Sequence, residues 1–346
     1  MPTMRDVAKL ANVSVATVSS VITGSRPVSD ELKTRVLKAM DEIGYKVDKK
    51  SPMLNKTIGY IVPSITSPTW ARVLKGVHDV GYSRGYQVII CNQDLDSSKC
   101  LEYQEFLVQQ GVSGVLISSG HDEETIEAIQ NLRRSRIPFV IIGAPMNVED
   151  TILVTSDRQS GTKNAARYLF HLGYSRVAVI SKTNSHVMTV RMEGIEEAQK
   201  LESMANCEVD CKVYWANEFS RSEGERIAAE IIADSEFQPD AIFSLDEIFT
   251  LGVLDYFYRK QIIVPDDMPI LTVGDNYSDI IKPELTAVAM PCYEMGWRAT
   301  ELLIRAIDGD IIDQKQIYLS EVLTVRRSTI PKSSVETRAQ RAGQAL

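Results

Sequence analysis

The stretch "ANVSVATVSSVI", residues 11 to 22, predicts a tight turn followed by a helix whose outer face is almost bare. Asn12 tolerates the left-handed backbone conformation that such a turn needs, and Ser14 is a good N-cap for the next helix. Apolar residues at helical spacing should face inward, namely Val18, Val21 and Ile22. Small side chains are left on the outside, namely Val15, Ala16, Ser19 and Ser20.

Two more helices are predicted around this stretch. Thr3 can cap a first helix, and Asp6 three residues later can accept from the free amides of its first turn. This helix should bury Val7, Leu10 and Ala11. Ser29 should cap a third helix that stops near Gly44 and buries Leu32, Val36, Leu37, Met40 and Ile43. Three short helices with a brief turn between the first two predict a helix-turn-helix head over residues 1–45.

A helix with small outer residues suits the major groove of DNA, which is roughly 12 Å wide and requires close approach of the backbone. The hydroxyls of Ser14, Thr17 and Ser19 can donate to phosphate oxygens, which position the helix without reading sequence. Val15 and Ala16 can contact a thymine methyl group. The alternative is a three-helix subdomain that only packs against the rest of the chain.

The charge distribution separates the head from the body. Residues 1–56 carry ten Lys or Arg and six Asp or Glu, whereas the rest of the 346-residue chain carries 28 and 40. A basic head on an acidic body is expected if only the head contacts phosphate, although a solvated basic surface would give the same counts. The absence of an apolar run of about 20 residues and of a secretion signal predicts a cytoplasmic protein without a membrane partner.

Strands and helices alternate through the body. One series of short apolar runs includes "TIGYIV" and "PFVIIGA", and a second series after Asp157 includes "RVAVIS" and "PILTVGD". Apolar strands separated by helices imply parallel sheets covered on both faces. The predicted fold class is therefore α/β, with a small all-α helix-turn-helix head followed by two doubly wound parallel-sheet lobes. Ligands bind such sheets at the carboxyl ends of the strands, here between the lobes.

The sequence lacks the signatures of several other functions. No phosphate-binding glycine motif, zinc motif or nucleophile elbow is present, and the four histidines are dispersed. The five cysteines are an odd number and are scattered, which argues against a disulfide framework. We therefore predict no catalytic residue, no metal site and no cofactor. A cytoplasmic solute-binding protein would have the same body, but the amino-terminal head argues against that function.

Residues 3 to 45, "TMRDVAKLANVSVATVSSVITGSRPVSDELKTRVLKAMDEIGY", resemble the head of the lac repressor family of bacterial transcription regulators. The resemblance implies that DNA bases are contacted from Val15, Ala16, Ser20 and Arg26. It also implies a hinge linker at 46–57, in which Leu54 would wedge into the minor groove at the centre of the operator. Pro52 departs from the family pattern, which usually has a helix former at this position. Because proline fits only the first turn of a helix, a hinge helix would have to begin near Ser51.

The resemblance extends over the body, from about Ile58 to Ser328, and implies the fold of a periplasmic sugar-binding protein. The first lobe would comprise residues 58–156 and 286–318, the second 157–285 and 319–330, followed by a disordered tail at 331–346. Matching motifs give the effector-binding residues Trp70, Asp157, Arg191, Phe219, Asp246 and Asp275. Carboxylates and an arginine suit paired hydroxyls, and aromatic rings suit the apolar face of a sugar or a base.

These observations together predict a DNA-binding regulator controlled by a small molecule. A single head offers a small contact patch, so we expect a homodimer on palindromic double-stranded operator DNA. The expected function is repression of a carbohydrate-catabolism operon, with a sugar or sugar acid as the effector bound between the lobes. A purine or nucleoside acting as corepressor is the alternative effector.

Overall fold

The computed structural model describes residues 2–23, 28–45, 56–119, 123–143 and 150–330. The head consists of α1 (Met4–Leu10), α2 (Val15–Thr23) and α3 (Asp30–Glu42). The backbone N–H and the hydroxyl of Thr3 both donate to Oδ2 of Asp6 over 2.7 Å, and the N–H of Thr17 donates to Oγ of Ser14 over 3.0 Å. Asn12 has a φ of 49°. The caps of α1 and α2 and the turn between them are as predicted.

The head has a small core of short side chains, formed by Val7, Ala8, Ala11, Val18, Val36 and Ala39. The prediction that Leu10 and Leu37 are buried is wrong, because these residues are 46% and 51% exposed. Alanines at three of the core positions let the helices approach closely, so each helix buries only a narrow stripe. Larger side chains at the edge of that stripe stay outside. The side chain of Ile22 lies outside the described residues.

The first lobe is built on a six-stranded parallel sheet with the order β11-β5-β4-β3-β1-β2. Its strands are β1 (Thr57–Val62), β2 (Gln87–Asn92), β3 (Gly114–Ser119), β4 (Phe139–Gly143), β5 (Ile152–Asp157) and β11 (Gln316–Ser320). Its helices are α4 (Pro68–Ser83), α5 (Lys99–Gln110), α6 (Glu123–Arg134) and α11 (Cys292–Asp308). All six residues of β1 are buried, as expected for a strand covered by helices on both faces.

The second lobe has a sheet with the order β12-β10-β9-β8-β6-β7. Its strands are β6 (Arg176–Lys182), β7 (Asp210–Ala216), β8 (Ala241–Ser244), β9 (Ile270–Val273), β10 (Thr286–Ala289) and β12 (Val322–Thr324). Its helices are α7 (Arg158–His171), α8 (His186–Met204), α9 (Arg221–Ala233) and α10 (Glu247–Lys260). The edge strand β12 is antiparallel to β10, and the other pairings are parallel.

The chain passes between the two sheets three times. It leaves the first sheet after Asp157, returns to the first lobe between β10 and α11, and crosses again at Glu321 between β11 and β12. The sequence analysis placed the return to the first lobe at residue 286. This prediction is wrong by a few residues, because β10 still pairs with β9 in the second sheet. The last crossing likewise falls after Ser320 rather than after residue 318.

Glycines allow the closest helix contacts in the body. A Cβ on Gly76 of α4 would lie 2.2 Å from the carbonyl oxygen of Tyr293, and one on Gly296 of α11 would lie 2.1 Å from that of Val73. Only hydrogen atoms fit at these two points, so α4 and α11 pack backbone to backbone. This contact fixes the late helix α11 against the helix that follows β1.

No helix in the described part of the chain combines the length and the apolar character needed to cross a bilayer.

Candidate functional site

The outer face of α2 is not packed against the protein. Val15 is 44% exposed, Ala16 is exposed and Ser20 is partly exposed, whereas Val18 on the opposite face is fully buried. The hydroxyls of Ser14 and Thr17 lie 2.8 Å apart beside this face. The amino-terminal half of α2 therefore presents a slim, largely apolar surface with hydroxyl groups along one side.

Of the other residues expected to contact DNA, the structure describes Ser19 but not Arg26 or Leu54. Ser19 is partly exposed on α2. Arg26 of the following loop and Leu54 of the linker lie outside the described residues, as do most of the linker and the tail after residue 330. Sequence reasoning missed one residue that supports the interface. Nη2 of Arg35 on α3 donates to the carbonyl oxygen of Ala11 over 2.7 Å, which ties α3 to the turn before α2.

A cavity of about 340 Å³ lies between the lobes at the carboxyl ends of the strands. The first lobe contributes the first turn of α4, and the second lobe contributes the loops after β8 and β9. The polar side chains among the lining residues are Ser67, Thr69, Arg72, Arg191, Asp246, Glu247, Asp275, Asn276 and Tyr277. The two lobes also meet directly, since Nδ2 of Asn276 donates to Oγ1 of Thr69 over 3.4 Å.

Three of the predicted effector-binding residues line this cavity together, namely Arg191, Asp246 and Asp275. Arg191 and Asp275 each have a protein partner. Arg191 forms a bidentate ion pair with Glu321 over 2.8 and 2.9 Å, and Asp275 forms one with Arg326 over 2.7 and 3.0 Å. Their guanidinium and carboxylate planes are therefore held in place before any ligand arrives.

Asp246 lies at the N-terminus of α10, where its carboxylate accepts from the N–H of Ile248 over 2.8 Å. Burial raises the pKa of Asp246 to about 6, against the lowering effects of the Ile248 N–H and of Arg191. The neighbouring Glu247 accepts from the N–H groups of Asn276 and Tyr277 and from the hydroxyl of Ser278. Asp246 thus keeps acceptor capacity toward the cavity, whereas Glu247 holds the loop after β9.

Asp157 lies in a smaller neighbouring cavity of about 90 Å³. Its carboxylate caps α7 by accepting from the N–H of Ser160 over 3.0 Å. Val187 lines both cavities, so the small one adjoins the larger one. Asp157 and Asp246 are therefore both helix caps and lining residues.

The two aromatic residues expected in the effector site, Trp70 and Phe219, do not line the larger cavity. Trp70 packs against the core of the first lobe, and its neighbour Thr69 lines the cavity instead. Adjacent residues on a helix point about 100° apart, and the turn from Thr69 to Trp70 directs the indole toward the core. Phe219 is 48% exposed and stacks on Phe249 with ring centres 5.6 Å apart, away from the lining of the larger cavity.

Two functional candidates were not predicted from the sequence, namely Arg158 and Glu321. Arg158 is only 7% exposed and lines the small cavity, and the side chain of Glu321 is fully buried at the last lobe crossing. The sequence signal for Glu321 is a charged residue between the two terminal strands. That signal does not reveal its partner, Arg191, which lies 130 positions earlier.

Comparison with family profiles agrees with this architecture. Residues 3–48 match "Bacterial regulatory proteins, lacI family", residues 55–211 match "Periplasmic binding proteins and sugar binding domain of LacI family", and residues 166–329 match "Periplasmic binding protein-like domain". A helix-turn-helix head joined to a two-lobed body of the binding-protein type defines a transcription regulator with a ligand-binding body. The chain belongs to the lac repressor family of bacterial transcription regulators.

Relatives span nearly the whole chain. The ribose operon repressor of Escherichia coli strain K12 is 29% identical over 335 residues, which cover 95% of this chain and 100% of the relative. The transcriptional repressor PurR of Mannheimia succiniciproducens is 29% identical over 336 residues, which cover 95% and 98%. The structure of a LacI family regulator from Enterococcus faecium with bound ribose superposes with a TM-score of 0.69 at 25% identity, covering 80% of this chain and 99% of that one.

Proposed function

We propose that the protein represses a carbohydrate-catabolism operon and that a sugar or sugar acid bound between the lobes controls its affinity for operator DNA. The observation that carries the proposal is the pairing of two features in one chain. One is the unpacked Val15–Ala16 face of a capped helix, and the other is a polar cavity between the lobes. The proposed base contacts are Val15, Ala16, Ser20 and Arg26, and the proposed phosphate contacts are Ser14, Thr17 and Ser19.

The cavity favours a polyhydroxylated effector over a base. Its polar lining offers carboxylates, an amide, hydroxyls and guanidinium groups, which suit adjacent hydroxyls on a ring. Tyr277 is the aromatic residue among its described lining residues, so a purine would lack two opposing stacking surfaces. A purine or nucleoside corepressor remains the second candidate because PurR is among the relatives.

Control by the effector follows from the three lobe crossings. A ligand that contacts both lobes favours one angle between them, and it changes DNA occupancy only if it binds one arrangement more tightly. In a homodimer on a palindromic operator, that angle would set the spacing of the two heads. Effector residues on opposite sides of the cleft, such as Thr69 and Asp246, are suited to sense the angle.

A gel shift with full-length protein tests the regulator function. Palindromic fragments from the neighbourhood of its own gene should be bound, and the affinity should fall steeply between 50 and 200 mM salt, because phosphate contacts release counterions. A thermal-shift screen of sugars, sugar acids and nucleosides then tests the effector, since a bound ligand stabilises the folded state by mass action. Equal binding to all fragments would contradict the proposal, as would insensitivity to every metabolite.

A further inference from the structure

The lobe crossings enclose a cluster of buried charged groups, formed by Arg158, Arg191 and Glu321. Arg158 is 7% exposed, Arg191 is 2% exposed, and the side chain of their neighbour Glu321 is fully buried. Both oxygens of Glu321 are occupied by the bidentate pair with Arg191, and the hydroxyl of Ser156 donates to Oε1 over 2.8 Å. Two buried guanidinium groups therefore share one carboxylate, which is already committed to Arg191.

Arg158 has no anionic partner within hydrogen-bonding distance among the described residues. Its Nη1 donates to the hydroxyl of Thr155 over 2.8 Å, and its buried Nε has no acceptor. The carboxylates of Asp157 and Asp246 each accept a hydrogen bond from a helix N-terminus and none from Arg158. Burial and the charge of Arg191 lower the pKa of Arg158 to about 10, with Glu321 acting in the opposite direction. The guanidinium stays charged at neutral pH, so its burial without a counter-ion is costly.

The small cavity gives an anion access to this region. Its polar lining side chains include those of Asp157, Arg158, Gln159, His186 and Tyr318, and the carboxylate of Asp157 is engaged by the N–H of Ser160 in the first turn of α7. Its volume of about 90 Å³ admits a carboxylate or a phosphate group but not a whole sugar ring. Val187 also lines the larger cavity, so the two cavities adjoin at this residue.

We propose that the small cavity is the subsite for an anionic group of the effector, a carboxylate or a phosphate, with Arg158 as its counter-ion. This inference rests on the proposed function and narrows the effector to an acid or phosphate ester of a sugar. The polyol part would occupy the larger cavity beside Asp246. A neutral sugar would leave the buried Nε of Arg158 without an anionic partner.

Calorimetric titration of the full-length protein tests the subsite with four probe sets. These are hexose phosphates, hexonates and hexuronates, the parent neutral hexoses, and inorganic phosphate. We expect at least one member of the first two sets to bind at least about 30-fold more tightly than its neutral parent, because a charge-assisted contact is lost in the parent. The first two sets distinguish phosphate from carboxylate, and inorganic phosphate alone should bind weakly.

Arg158→Gln should weaken binding of the acidic ligand by a similar factor. Arg158→Lys keeps the charge and should retain part of the affinity, which separates loss of charge from loss of folding. Arg72→Gln is the matched control on the opposite side of the cleft, and it should preserve the preference for acids over neutral sugars. The proposal is overturned if neutral hexoses bind as tightly as acids, if Arg72→Gln rather than Arg158→Gln abolishes acid binding, or if no acid binds.

The gel shift distinguishes this failure from failure of the proposed function. Protein that binds an operator but prefers neutral ligands loses only the anion subsite. Protein that binds no operator loses the regulator function, whatever the titrations show.

Discussion

Glu321 should contribute more to the stability of the body than any surface carboxylate, because its buried side chain is hydrogen-bonded to both lobes at the last lobe crossing. Its side chain accepts two hydrogen bonds from Arg191 in the second lobe and one from Ser156 in the first. Glu321→Ala would remove all three and leave Arg191, which is 2% exposed, without its hydrogen-bonded ion-pair partner. Breaking a buried pair by removing one partner costs about 3–5 kcal/mol.

Urea unfolding followed by tryptophan fluorescence measures this effect, since the three tryptophans all lie in the body. With a slope of about 3 kcal/mol/M, a loss of about 4 kcal/mol lowers the midpoint by more than about 1 M. Glu321→Gln keeps the shape and one acceptor, so it should lose somewhat less. The double variant Arg191→Met with Glu321→Met should recover much of the loss, because an apolar pair replaces a buried ion pair at little cost.

A loss below about 1 kcal/mol for Glu321→Ala would refute this reasoning. It would mean that water or another side chain replaces the carboxylate, so that Arg191 is not held by Glu321. A double variant no more stable than Glu321→Ala would equally show that the cost does not arise from the unpaired charge.

Three further results are expected. Burial raises the pKa of Asp246 to about 6 in the folded state, compared with about 3.9 in the unfolded state. The folded state therefore binds this proton more tightly, and ionisation of Asp246 lowers the free energy of unfolding as the pH rises from about 4 to 6. Asp246→Asn should therefore gain up to roughly 3 kcal/mol relative to wild type between pH 4 and 7 in urea titrations, and a difference independent of pH would contradict this. Gly76→Ala and Gly296→Ala should each lower the free energy of unfolding by about 1–3 kcal/mol or more in thermal denaturation, because the added methyl groups meet backbone oxygens; unchanged melting would show that α4 and α11 separate easily. Ala16→Asp should weaken operator binding at least about 100-fold in gel shifts through repulsion from phosphate, while the exposed body change Ala205→Asp has no effect; equal effects would exclude α2 as the contact.

The hydrophobic pattern predicted the architecture because two signals are strong here. Strands appear as continuous apolar runs, and the helices of the head have apolar residues at helical spacing. Apolar runs such as "TIGYIV" are buried along their whole length, and the caps at Thr3 and Ser14 are local chemistry that a sequence displays directly. The sheet to which 286–289 belongs was misplaced because apolar strands read alike in either sheet. Only long-range pairing with β9 distinguishes them.

The candidate site was less predictable, because the direction in which a side chain points from its helix decides whether it lines the cavity. Trp70 and Thr69 are adjacent, and helical rotation turns only Thr69 toward the cavity. Arg158 and Glu321 look like ordinary charged residues in the sequence, and only folding places them beside Arg191. Their significance depends on burial, which no local pattern reports.

The three lobe crossings bear on how the protein is made. Each sheet ends with a strand from the last stretch of the body, β11 in the first and β12 in the second. During synthesis neither lobe can complete its sheet until about residue 324 has left the ribosome, whereas the head needs only the first 45 residues. A nascent or truncated chain would therefore carry a finished DNA-binding unit before the body that we propose as the effector-binding part is complete.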